Sequence, residues 1–118
     1  MLTTARLYGT AQTIGAVTGD VVTVPLMMNS INIVLAMVGG SDLTDNCGFV
    51  VIAAFVRGGG GSAALGAVTT VFAVNSGGFA GVALTVVNSS PNCIVRATGI
   101  AGKTITWQGL AQVQQFTP

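Results

Sequence analysis

Apolar positions along this chain alternate with polar or small ones over short runs, and each run ends in Gly, Asn, Ser, Asp or Pro. A period of two marks a strand with one buried face. Val82, Leu84 and Val86 alternate in this way with Ala83, Thr85 and Val87. Val22, Val24 and Leu26 repeat the pattern, and Pro25 fits an edge strand or a strand end. Strands are therefore expected over 5–8, 20–26, 31–38, 47–57, 64–74, 81–87, 93–98 and 103–113. The run from Cys47 to Arg57 is almost wholly apolar, which predicts a central strand. Turns are expected over 39–42, 58–62, 75–78, 88–92 and 99–102, with 43–46 as a polar loop. Residues 114–118 read as a peripheral tail.

Helices are disfavoured by 17 glycines and by the weight of Val, Thr and Ile in the apolar runs. The expected fold is all-β: an antiparallel β-sandwich of about eight strands, jelly-roll or Ig-like. It forms one domain over 20–118, preceded by an N-terminal arm or first strand over 1–19. That arm is polar, contains glycine and could reach an adjacent subunit.

Composition sharpens this picture. Of 118 residues 51% are hydrophobic and only 6% charged, with a net charge of +1; mean hydropathy is +0.78. Disorder needs the reverse balance. Four scattered cations cannot build a nucleic-acid face. No eight-residue apolar run is long enough to span a bilayer, so no membrane partner is expected. The N-terminus lacks a basic head followed by an apolar stretch, so folding in a cytoplasm is expected. Soluble domains carry about a quarter charged residues. The deficit here points to surface covered by other subunits.

Catalytic chemistry is poorly provided for. The chain has no His, and its only carboxylates are Asp20, Asp42 and Asp45. Few zinc sites or acid–base sites can be built from these, so no enzyme activity and no cofactor are expected. Asp42 and Asp45 could hold Ca²⁺ weakly, or simply cap a solvated turn. Gly102, Lys103 and Thr104 look like the end of a phosphate loop, but that loop needs Gly at the position of Ala97 and a helix after it. Gly58 to Gly61 lacks the helix and downstream acid of a dinucleotide site. Asn88, Ser89 and Ser90 form a glycosylation sequon, expected to be accidental without a secretory signal. Cys47 and Cys93 each open an expected strand, and could be two buried thiols or a disulfide.

The C-terminal third carries a family likeness. Residues 94–112 read IVRATGIAGKTITWQGLAQ. The TGxAGKTIxW core resembles a β-rich structural domain of tailed-bacteriophage virion proteins, of the tail or tail-fibre type. The likeness extends over 42–113, through the strand from Cys47 to Arg57 and the segment SAALGAVTTVFAV at 62–74. It implies a strand, a tight turn at the AGK step, and a strand bearing Trp107. It further implies a non-enzymatic virion protein assembled in the host cytoplasm. Capsid decoration or a tail-surface position would be its place, as a homo-oligomer, commonly a trimer, with major capsid or tail proteins as partners.

Phe49, Phe55, Leu84, Ile105 and Trp107 are the expected core or interface anchors. Arg57, Arg96 and Lys103 are the expected contacts to an acidic shell. The alternative is a receptor- or glycan-binding module, using the loops at 41–46 and 75–79.

Overall fold

A computed structural model of the chain describes residues 1–57, 63–89 and 91–117. The hairpin expected at 58–62 and the last residue of the sequon lie outside the described residues. The strands are β1 (Leu2–Ile14), β2 (Thr18–Pro25), β3 (Ser30–Ser41), β4 (Asn46–Arg57), β5 (Ala63–Asn75), β6 (Ala83–Ser89), β7 (Asn92–Thr98) and β8 (Thr104–Phe116). A single 3₁₀ turn, Gly77–Phe79, follows β5, and no α-helix occurs among the described residues. One sheet has the order β1-β8-β3-β4-β5, the other β2-β7-β6, and every pairing is antiparallel. The β1–β8 and β2–β7 pairs nest as in a jelly roll. By contrast, β3, β4 and β5 follow one another as neighbours within the larger sheet.

The sandwich is elongated, 47 × 21 × 20 Å. Inward positions of both sheets fill its middle: Val22, Val24 and Val95 from one, Val34, Val51, Phe55, Ile105 and Val113 from the other. Each such side chain contributes about 1.5–3 kcal/mol on burial. Close approach of the sheets depends on a glycine rung. Gly9 pairs with Gly109 across β1 and β8. A Cβ on Gly9 would overlap the Val21 carbonyl, and one on Gly109 would lie 2.9 Å from Val21 Cγ1. A register break in β2 between Asp20 and Val22 leaves both Val21 and Val22 buried against this rung.

Two expectations need correction. Residues 114–116 are not a peripheral tail: β8 continues to Phe116, and Gln115 is buried with its Nε2 reaching the Pro25 carbonyl at 3.5 Å. The segment 39–41 is not a turn: β3 runs on to Ser41, and the Asp42–Asp45 turn follows it. Strand β4 is interior to its sheet, but Ile52 and Val56 on its outer face stay exposed. Residues 1–19 contain β1, its turn and the start of β2; β1 pairs with β8 from Leu2 to Ile14.

Candidate functional site

Two regions could act on other molecules: the end of the sandwich where the polar loops gather, and the outer face of the five-stranded sheet. The loop end assembles the turns at 15–17, 42–45, 76–82 and 99–103. Asp42 Oδ1 accepts the amides of Thr44 (3.0 Å) and Asp45 (2.7 Å). Asp45 Oδ1 accepts the Ser76 hydroxyl at 2.8 Å, and Ser76 Oγ accepts the Asn46 amide at 3.0 Å. Lys103 Nζ lies 3.7 Å from Asp42 and 3.4 Å from Asp45. The two loops proposed for a ligand, 41–46 and 75–79, therefore meet. Donors from Asp45, Thr44 and Lys103, in that order, hold the Asp42 carboxyl below its ordinary range.

This arrangement closes the loop end upon itself. The Asp pair is occupied by backbone amides, a hydroxyl and Lys103, and no group of three metal-ligating side chains forms among the described residues. Two shallow depressions of about 400 and 450 Å³ open beside it, lined mainly by Gly, Ser, Asn and Thr. The loop aromatic, Phe79, is fully buried. The large apolar side chains that the end presents to solvent are Ile14, Val17 and Leu43, with Leu43 wholly exposed at φ +79°. No sequence signal marked Leu43, because its exposure follows from the turn that Asp42 builds.

The expected anchors Phe49, Phe55, Leu84, Ile105 and Trp107 all lie in the core of the single chain. Trp107 is fully buried because Gly40, its cross-strand neighbour, has no Cβ. A Cβ there would lie 2.7 Å from the indole. Its Nε1 donates to Thr13 Oγ1 at 3.0 Å, so the polar atom of the largest core residue is satisfied. The expected strand, tight turn and Trp-bearing strand are present as β7, residues 99–103 and β8.

The three expected shell contacts have partners within the chain. Arg96 Nε meets Asp20 at 2.7 Å, Lys103 meets the Asp pair, and Arg57 Nη1 donates to the Leu26 carbonyl. Cys47 and Cys93 are free thiols rather than a disulfide. Cys47 pairs with Gly40 beside Trp107, whereas Cys93 pairs with Val24, next to the Pro25 that Gln115 reaches. Along β8 those places are on the order of 25 Å apart at the rise of a strand, far beyond disulfide reach. Burial pushes the Cys93 thiol up to about 12 and raises that of Cys47, so neither is a ready nucleophile.

The outer face of the five-stranded sheet is different in kind. Tyr8, Leu110, Met37, Val50 and Phe72 form one apolar rung across all five strands. Leu2, Phe116, Ile31 and Val56 form another. Between them the β1 and β8 positions are polar (Thr4, Arg6, Gln112, Gln114), while Ile33, Leu35, Ile52 and Ala54 continue the apolar surface on β3 and β4. Ile31, Ile33, Met37, Ile52, Val56, Phe72 and Val74 are each 38 to 57% exposed. Their half of the face, on β3, β4 and β5, holds no outward charge among the described residues.

No protein-family model matches the chain, and no curated protein matches it. Its fold is similar to part of a solved structure, the tailspike protein of Acinetobacter baumannii phage AM24, at a TM-score of 0.59 and 8% identity. The match covers 99% of this chain and 26% of the tailspike, so the chain spans about a quarter of that protein's length and shares its fold there.

Proposed function

We propose that this chain is a non-enzymatic structural protein of a tailed-bacteriophage virion, acting through the packing of identical subunits. Its place is the tail surface or, as a decoration or cement protein, the capsid, with tail or major capsid proteins beneath it. Assembly takes place in the host cytoplasm. One observation carries the reading: the uncharged apolar half-face on β3, β4 and β5, which in a lone molecule would lie open to water. The fold likeness to a phage tailspike supports the virion setting. Uncharged subunits pack without desolvating ions, and many weak identical contacts add through avidity. A closed homo-oligomer follows from one repeated contact, with a trimer as the expected count.

A receptor- or glycan-binding role fits less well. Such a site needs aromatic side chains standing out of polar loops. Here Phe79 and Trp107 are inside, and the loop carboxylates are engaged by their neighbours. Light scattering of the full chain over a range of concentrations tests the packing role, and its copy number in purified particles tests the location. A defined oligomer present at the stoichiometry of a tail or capsid lattice is expected. A protein that stays monomeric at every concentration and is absent from particles overturns the proposal.

A further inference from the structure

The four edge strands are not alike. Strand β2 carries Asp20, a bulge and a terminal Pro25; β6 has only seven residues; β1 carries Arg6. These are the devices by which natural sheets discourage further pairing. Strand β5 has thirteen residues and neither charge nor Pro. It borders β4 on one side only. Every residue from Val68 to Asn75 is exposed, on both faces of the strand. Two register breaks against β4 bend the strand, yet Phe72 to Asn75 stays in regular pairing. Phe72 and Val74 point to the same side as Met37 and Ile52, so the apolar half-face runs without interruption to this bare edge.

We infer that a second copy of this chain seats on the β3–β4–β5 half of the outer face, with the β5 edge at the seam. The inference rests on the packing role proposed above and names the surface that performs it. Area and charge identify the occupant. Taking roughly 200 Å² for a fully exposed large apolar residue, the seven exposed side chains present on the order of 700 Å². A standard interface buries roughly 800 Å² per partner, whereas the largest patch on an ordinary monomer is roughly 300–600 Å². A charged partner would find no counter-charge on this half-face; another copy brings an equally neutral surface and a β-branched, uncharged strand. The β1–β8 half, with Arg6 and its Gln and Thr rows, stays on the outside of the assembly.

The test compares the solution mass of the full-length protein with that of four variants. Phe72→Lys and Ile52→Lys place a charge on the apolar half, and Thr4→Lys and Gln108→Lys place the same charge on the polar half of the same face. The first two should fall to monomer mass while the last two keep the parent mass, all four retaining the near-ultraviolet signal of buried Trp107. Amide exchange reads the same contact without substitution: the β5 amides that point away from β4 should be protected at concentrations where the oligomer forms and exchange quickly where it dissociates. This arm decides the matter should a lysine variant fail to fold. A parent oligomer that survives both Phe72→Lys and Ile52→Lys, or whose outward-pointing β5 amides exchange quickly throughout, overturns the inferred surface and leaves the packing role standing. A parent protein that is monomeric throughout overturns both.

Discussion

Strands β1 and β5 have the same length, lie in the same sheet and form its two edges, yet they are finished to different degrees. Strand β1 keeps register with β8 along all thirteen residues. Apart from Leu7, its inner face is built of small residues, with Ala5, Gly9, Ala11 and Thr13, and β2 packs tightly against it at Gly9 and Thr13. Strand β5 breaks register with β4 twice and is exposed on both faces from Val68 to Asn75. The contrast teaches that one edge is completed within the chain and the other is left open. Each substitution below should therefore act differently according to the edge it touches.

The largest effect is expected at Gly9. An added Cβ would overlap the backbone carbonyl of Val21, and two strands would have to separate. Gly9→Ala should cost about 3 kcal/mol or more. Gly66→Ala on β5 is the matching change, with its nearest contact at 3.3 Å from the Ala54 carbonyl. That contact is tight, but one edge strand can shift without moving a second sheet, so its cost should stay near or below about 1 kcal/mol. Urea unfolding of both variants checks this. Equal costs would mean that β1 is no better anchored than β5.

Next comes Thr13, which is buried and accepts from Trp107. Thr13→Val keeps the shape and strands the indole donor, at an expected cost of about 1–3 kcal/mol, whereas Thr13→Ser should recover most of it. Thr70→Val on β5 changes the same atoms at an exposed site, and should shift stability by less than about 0.5 kcal/mol. Thermal unfolding followed by Trp fluorescence separates the two.

The same contrast explains what could be read from the sequence. Turn clusters and alternation located the eight strands, because Gly, Asn, Asp and Pro punctuate them clearly. Strand β1 was visible only over 5–8, since the small residues that let β2 approach also remove the apolar signal. Strand β4 read as central because it is almost wholly apolar, yet about half of its positions face outward. A run that is apolar on both faces cannot reveal whether the second cover is another sheet or another molecule. The anchors were legible as core because Trp, Phe and Ile on alternating strands rarely stay exposed. The partners of Arg57, Arg96 and Lys103 were not, since Leu26, Asp20 and the Asp pair lie 31 to 76 positions away in the chain. The placement of the cysteines at opposite ends likewise depends on strand order, which spacing does not encode.

A smaller effect on stability is expected at Phe72. Half-exposed on an open edge, it contributes little to the fold of one chain. Phe72→Lys should change the unfolding free energy of the dissociated protein by no more than about 0.5 kcal/mol, read by urea unfolding. A large loss in the monomer would mean that β5 is packed from both sides after all, and the distinction between the edges would fail.

The smallest expected effect is one of pH, and it too should fall unequally on the two edges. The Asp42 carboxylate accepts two backbone amides and faces Lys103, which lowers its folded value beneath the ordinary 3.8. A depressed acid stabilises the fold above its unfolded value, and the contribution is lost as pH falls through the folded one. Protonation therefore loosens the Asp42–Asp45 turn only below about pH 4. That turn is tied through Asp45 to Ser76, at the end of β5. The matching end of β1 is held by the uncharged Thr13–Trp107 hydrogen bond and by the Gly15 amide on the Lys103 carbonyl, neither of which titrates in this range. Between about pH 5 and about pH 3, nuclear magnetic resonance should record changes first at 42–46 and Ser76, while the amides of β1 hold. Asp42→Asn should abolish that early change; the same change persisting in the variant would assign it to another carboxylate and detach the acid response from the open edge.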